Sequence, residues 1–379
     1  MTLSICRVCA AALVAPCYAA SAPSLTSMMQ LLDAPTEVLV CDACGHAQSP
    51  DLPNVKDFYA SQYKISLASE DHDQLVTVRG GQTVFRTDFQ TEALLEMAAP
   101  PQGARVLDYG CGKAATLRKL CAARPDVVPH VFDVSDDYRP HWSQWIASEA
   151  MATHELPAPW RGRFDLITAH FVIEHTVDPC SMLSDIASLL ALGGRLFLSA
   201  PDAIANPGDL VVVDHLNHFS GASLMRALQR TGFSAALIDR DRFPGALIAV
   251  CSHDGQKATA VAPAEDAAAL RRAAREWLRA ADHVRSIARE HAGKRSAIYG
   301  AGFYGGFIRT LLSDNVDLAC FLDRNPHAQG TMLMGLPVVS PDDVPADVSV
   351  IYAGLNPLKA RAIIAQASAL IGRQIVWLD

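Results

Sequence analysis

From about residue 51 to residue 255, short apolar runs alternate with stretches in which apolar residues recur every three or four positions. That alternation predicts a parallel α/β sheet with helical crossovers. Val106 and Leu107 read as the end of a buried strand, and Thr116 to Ala122 as the helix after it. Val127 to Phe132 and Phe164 to His170 read as further strands. Leu189 to Ser199 reads as a helix end, a Gly193-Gly194 turn and another strand, and a helix is expected to begin near Ser220. From about 262 to 291, Leu270, Ala274, Trp277, Ala281, Val284 and Ile287 fall on one helical stripe, which predicts a long amphipathic helix. A second strand, glycine turn and helix begins at Ser296.

Residues 1–50 break this pattern. They lack long periodic elements and carry Cys6-x-x-Cys9 and Cys41-x-x-Cys44. Each pair sets two thiolates on a tight turn, and Gly45 follows the second pair. Four thiolates complete a tetrahedral zinc site with no open position, so the metal would be structural. A metal would replace the core that so short a segment cannot build. The alternative is four unrelated cysteines. Cys17 and His46 are spare candidate ligands.

The chain has 379 residues, room for two or three domains. Its net charge of −8 argues against a nucleic-acid partner, which needs a basic face. No apolar run approaches the roughly 20 residues that span a bilayer. Arg7, an apolar stretch and Ala19-Ala20-Ser21-Ala22 imitate a signal peptide, but Cys6 and Cys9 are better explained as metal ligands. Ten cysteines without dense disulfide spacing suit a reducing cytoplasm, the expected location. The expected division is a zinc-binding segment at 1–50, an α/β domain at 51–255, a helical linker at 256–291 and a Rossmann-like domain at 292–379.

The chemistry centres on Asp108-Tyr109-Gly110-Cys111-Gly112 after the first strand, where Gly110 and Gly112 let the backbone approach a ligand closely. Asp133 ends the next strand, placed to accept both hydroxyls of a ribose, or to cap the following helix. Glu174-His175 lies past a later strand, and Asp214-His215-Leu216-Asn217-His218-Phe219-Ser220 precedes a helix for which Ser220 is the expected cap. Asp214 could orient an imidazole and raise its basicity. His218 reads as a satisfied loop histidine.

The D-x-G-x-G turn, the acidic end of strand two, Phe164-Asp165-Leu166-Ile167, the Ile173-Glu174-His175-x-x-Asp178-Pro179 stretch and Leu190-x-x-Gly193-Gly194-Arg195-Leu196-x-Leu198-Ser199-x-Pro201 together resemble class I S-adenosylmethionine-dependent methyltransferases. The resemblance covers roughly residues 100 to 205. It implies a doubly wound sheet and a cofactor cleft lined by Asp108, Gly110, Gly112 and Asp133, with His170 near its mouth. The third glycine of the turn is replaced by Ala114, and Ala152 stands where an acidic residue often sits near the adenine.

A four-cysteine segment, such a domain and a second Rossmann-like domain form the layout of nucleotide-sugar C-methyltransferases, which the whole chain resembles. That family implies methylation of a carbon beside the ketone of a nucleotide-linked 4-keto-deoxysugar, with His215 as base beside Asp214, Phe219 and Ser220. Val212-Val213 replaces a tyrosine–histidine pair common there. Tyr59 and Tyr63 resemble the family's aromatic pair and would touch substrate or pack the lid. By their place at the carboxyl edge of the sheet, Glu174 and His175 would face the cleft and substrate, with His175 the other candidate base. Alternatives are an O-methyltransferase acting on a sugar or another small molecule, a non-catalytic scaffold, and a nucleic-acid methyltransferase.

Gly300-Ala301-Gly302-Phe303-Tyr304-Gly305, with Asp323 about 20 residues on, matches a dinucleotide fingerprint. The segment 292–379 is too short for a full six-stranded binder, so the expected role is a supporting Rossmann-like domain.

Overall fold

The computed structural model describes residues 4–63, 75–80, 82–255, 264–312 and 316–379. They form two compact units. The first takes Met1–Val14, Val40–Asp209 and Leu216–Leu270; the second takes Ala15–Leu39, Leu210–His215 and Arg271–Asp379. The expected segment 1–50 is thus divided between the units. Leu25 and Met29 pack against Gly306 of the second, because a glycine there leaves room for both side chains.

In the first unit the elements run α1 (Arg86–Met97), β1 (Arg105–Tyr109), α2 (Ala115–Ala123), β2 (Val128–Asp133), β3 (Met151–Thr153), β4 (Phe164–His170), α3 (Pro179–Leu189), β5 (Leu190–Pro201), α4 (Gly221–Arg230), β6 (Phe233–Asp239) and β7 (Ala246–His253). The sheet order is β3-β2-β1-β4-β5-β7-β6. The strands from β3 to β5 are parallel, and β7 runs antiparallel to β5 and β6. This is the doubly wound α/β sheet of the class I methyltransferase fold class. Val106 and Leu107 point to opposite faces and are both fully buried, as continuous apolar runs are in sheets covered on both sides. Leu94, Leu117, Leu120, Val106, Val131, Leu166 and Phe197 build the core on the α1–α2 face. Pro179 at the first position of α3 and the Asp178 carboxylate, which accepts from Cys180 and Ser181 at 3.0 Å, fix where α3 starts. Ser220 caps α4 as expected, accepting from Ser223.

The second unit contains most of α5 (Ala264–Glu290), then β8 (Ser296–Tyr299), α6 (Phe303–Leu311), β9 (Leu318–Leu322), β10 (Met332–Leu333), β11 (Leu336–Val339), β12 (Val350–Ala353), α7 (Pro357–Ile364) and β13 (Gln374–Val376). The expected start of α5 at 262 lies outside the described residues. Its stripe buries Ala274, Trp277, Ala281 and Val284, and Trp277 meets Phe303 and Phe307 at 5.8 and 4.6 Å between ring centres. The sheet order is β10-β11-β9-β8-β12-β13, six strands where fewer were expected from length. The sixth is the two-residue β10, antiparallel to β11, so the parallel part has five strands. Short hairpins, Tyr18–Ala20 with Thr36–Val40 and Ser24–Leu25 with Leu31–Leu32, complete this unit. Among the described residues, no helix is long and apolar enough to cross a membrane.

Candidate active site

The site grows from the carboxyl edge of the first sheet, where ligands bind in open α/β folds. Gly110 has φ +69°, and a Cβ there would lie 2.6 Å from Val172 Cγ2, so only glycine lets the Phe171–His175 loop pack onto the turn. Ala114 occupies the left-handed region at φ 56° and is fully buried, so its methyl packs between helix and strand at some backbone cost. Phe171 is likewise left-handed at φ 56°, which turns the chain sharply after β4.

Asp108 is buried, and its carboxylate accepts from the Thr168 hydroxyl at 2.9 Å. Burial pushes its pKa up to about 7, and the nearby Asp133 charge adds to the rise. Asp133 does not cap the next helix; Ser135 does. One Asp133 oxygen accepts from Gly112 N at 2.8 Å and the other from Ser135 N at 3.0 Å. Burial raises its pKa, and these bonds oppose the rise. The carboxylate also accepts from the Val134 backbone and still keeps acceptor capacity for a hydroxyl. Two buried acids on one edge suit a ligand that carries cationic and hydroxyl groups. His170 ends β4, its Nδ1 lies 3.3 Å from Ser199 Oγ, and its buried Nε2 has no hydrogen-bond partner among the described residues. Burial lowers its pKa to about 3, helped by Arg86, so the ring is neutral and can meet a polar ligand atom. Asp108, Asp133 and His170 therefore fit S-adenosylmethionine by donor set and charge.

The segment Phe58–Gln62 reaches this edge, because Ser135 Oγ donates to the Ala60 carbonyl at 2.9 Å. Tyr59 Oη lies 3.2 Å from His175 Nδ1, and Tyr63 Oη lies 3.5 Å from His175 Nε2. Both rings also pack on the imidazole, at 5.3 and 5.0 Å. The structure thus brings together Tyr59, Tyr63 and His175, and buries Glu174, the residue before His175. His215 and Asp214 fall in the second unit, where the Asp214 carboxylate accepts from Ser27 N at 2.7 Å and Ser27 Oγ at 2.6 Å. His218 is the satisfied histidine expected: its Nδ1 is 2.7 Å from Asp209 and its Nε2 3.1 Å from Ser49, all buried.

Sequence reasoning did not single out Trp142, whose indole donates to Gly112 O at 2.7 Å, or Thr168. Thr168 could have been found as the residue one pleat before His170. Trp142 carried no local signal.

The four thiols of Cys6, Cys9, Cys41 and Cys44 lie within 4.8 Å of one another, with Cys6–Cys44 at 3.6 Å and Cys9–Cys41 at 3.5 Å. A zinc ion with bonds of about 2.3 Å needs sulfurs roughly 3.8 Å apart, so the donor set fits. Hydrogen bonds from Cys44 and Cys6 hold the Cys41 thiol low, while Cys41 pushes the Cys44 thiol up. Like thiolates cannot all ionise together without a cation.

Residues 85–237 match the family described as methyltransferase domain. The ubiquinone biosynthesis O-methyltransferase of Xanthomonas axonopodis pv. citri (strain 306) is 34% identical over 104 residues, 26% of this chain and 44% of that protein. The enzyme of the same name from Xanthomonas campestris pv. campestris (strain B100) is 34% identical over 102 residues, 26% of this chain and 43% of that protein. The chain thus spans less than half the length of these curated relatives. Among solved structures, an S-adenosylmethionine dependent methyltransferase from Mesorhizobium loti aligns with 43% of this chain and 97% of its own, at 16% identity and TM-score 0.35. Magnesium protoporphyrin IX methyltransferase from Synechocystis PCC 6803 aligns with 44% and 78%, at 21% identity and TM-score 0.33.

Proposed function

We propose that this protein, which carries a class I S-adenosylmethionine-dependent methyltransferase domain, moves a methyl group from S-adenosylmethionine to a carbon of a nucleotide-linked 4-keto-deoxysugar. The observation that carries methyl transfer is the pair of buried acids, Asp108 and Asp133, on either side of the Gly110–Gly112 turn. S-adenosylmethionine, when bound, supplies an electrophilic methyl group on a sulfonium. Asp133 accepts the ribose hydroxyls, Asp108 places negative charge near the cationic end, and His170 offers Nε2 to a polar atom of the ligand. Glu174, Tyr59 and Tyr63 line the acceptor side. His175 and His215 are the two candidate bases. The base removes the proton beside the ketone and keeps it on its imidazole, and the enolate carbon attacks the methyl group as its bond to sulfur breaks, the electron pair staying on sulfur and S-adenosylhomocysteine leaving.

What supports the sugar acceptor is the resemblance of the whole layout and of Asp214, His215, Phe219 and Ser220. A structural zinc on Cys6, Cys9, Cys41 and Cys44 and a cytoplasmic setting belong to the same proposal. A second reading is O-methylation of a sugar or another small molecule, favoured by the O-methyltransferase names of the curated relatives. There the same histidine would deprotonate a hydroxyl.

The test is calorimetric titration of S-adenosylhomocysteine into protein of known zinc content, followed by a panel of 4-keto sugar nucleotides and hydroxylated aromatics. One-to-one binding lost in Asp133→Ala, and methylation of a 4-keto sugar at carbon, are expected. No binding to folded protein would sink the catalytic reading. Turnover of hydroxyl acceptors alone would replace carbon by oxygen.

A further inference from the structure

We infer that the cysteine ribbon clamps the loop carrying Glu174 and His175, with His46 and Asn217 as positioning residues; this rests on the methyl-transfer reading above. All the residues of the clamp belong to the first unit.

The loop Ile173–His175 is a single helical turn, tied to itself weakly: His175 N reaches Val172 O at 3.0 Å and Thr176 N reaches Ile173 O at 3.4 Å. A single turn with two such bonds does not by itself fix the backbone that carries the imidazole, whose ring Tyr59 and Tyr63 also contact. The Thr176 hydroxyl adds a bond to Ile173 O at 2.9 Å, and the carbonyls of the turn are held from outside as well. Leu216 N donates to Glu174 O at 2.8 Å, and Asn217 Nδ2 donates to Ile173 O at 3.3 Å and Thr176 O at 2.6 Å. Residues 216 and 217 therefore bracket the turn on both sides of His175.

Asn217 is in turn fixed by the ribbon. It is fully buried, and its Oδ1 faces His46 Nε2 at 3.3 Å. Both amide hydrogens are spent on carbonyls, so Oδ1 accepts and His46 carries its proton on Nε2. His46 is also fully buried and stands two residues past Cys44. The second knuckle closes onto it, with Gly45 N on Cys41 O at 2.9 Å and Cys41 N on His46 O at 2.8 Å. Asn217–His218 pairs with Ala47–Gln48, and Ser49 N donates to Leu216 O at 3.0 Å. The first knuckle adds its own hold: the Arg7 guanidinium donates to the same Leu216 carbonyl at 2.6 Å, and Arg7 N reaches Gln48 Oε1 at 2.9 Å. Metal on the four cysteines fixes both knuckles, the knuckles fix His46 and Arg7, and these fix the strand that holds the His175 turn. Zinc would thus act on the reaction without touching substrate.

The test compares His46→Leu, Asn217→Ala and the conservative His46→Gln, whose amide can still donate to Asn217. Four quantities are read: zinc content, affinity for S-adenosylhomocysteine, kcat and acceptor KM, and the imidazole NMR signals of His175. His46→Leu and Asn217→Ala should keep zinc and keep ligand affinity within about twofold. Their kcat should fall about 10- to 100-fold, the usual scale for outer partners of a site, with His175 signals shifted. His46→Gln should recover most of the activity. Unchanged kcat and unchanged His175 signals in His46→Leu would overturn the clamp. If the variants do not fold, zinc is stripped from the wild-type protein with a chelator. Moved His175 signals with the Gly110 and Gly112 amides in place support the clamp, and unmoved ones overturn it. Because the His175 signals need no turnover, failure of the methyl-transfer reading is distinguishable from failure of the clamp.

Discussion

Asp108 shows how one buried residue can set a pH response. Its folded pKa, about 7, lies above that of a free carboxylate because burial penalises the charge. Below about pH 7 it is neutral; above it, charged. A cationic ligand gains from the charged form, so affinity for S-adenosylmethionine should weaken as pH falls below about 7, and Asp108→Asn should flatten the profile in a titration series. Stability runs the other way. The folded protein holds a proton that the unfolded chain releases above about pH 4, so stability falls as pH rises from about 4 to about 7 and then levels. The loss is on the order of a few kcal/mol. Denaturant melts of the ligand-free protein and Asp108→Asn at both ends of that window would check this. The two histidines make a second test. A positioned base supplies about 10²- to 10⁴-fold, so turnover at saturating substrate should fall at least a hundredfold in whichever of His175→Gln and His215→Gln removes it. A loss under tenfold in one of them excludes that residue as the base.

The glycine turn and the knuckles were readable in the sequence because each is local. Gly110 and Gly112 lie within one turn, and Cys6–Cys9 and Cys41–Cys44 each close a few residues. The Val172 contact makes the turn sensitive: Gly110→Ala should weaken S-adenosylhomocysteine binding at least tenfold by calorimetry. Val172→Ala should restore only part of that, since φ stays at +69°. For the knuckles, Cys41→Ser should lose zinc and lower the melting temperature, measured with metal content on the same sample. By contrast, the left-handed Phe171 and the π-helical segment Phe58–Gln62 have no local signature. Phenylalanine gives no warning of a left-handed backbone; tertiary packing imposes it.

Across the whole molecule, the two glycine turns have different standing. In the second unit a Cβ on Gly300 would lie 2.2 Å from Gly354 O, and one on Gly305 would lie 1.9 Å from Gly300 O. These glycines serve backbone packing where β8, α6 and β12 meet. Gly305→Ala should therefore destabilise the second unit by about 1–3 kcal/mol, seen as lost amide-exchange protection in residues 296–311. The sequence by itself determined the doubly wound sheet, the Gly110–Gly112 turn, the acid at the end of β2 and the four thiols. Each rests on periodicity or on spacing within a few residues, and such patterns survive without knowledge of the fold. Tertiary structure alone decided how the chain divides into units. It also decided that Tyr59 and Tyr63 meet His175, more than 110 positions away, and that His46 reaches Asn217, 171 positions away. The physical reason is that these contacts join separate strands and loops once the sheets close, and no local propensity records which distant loop will lie opposite.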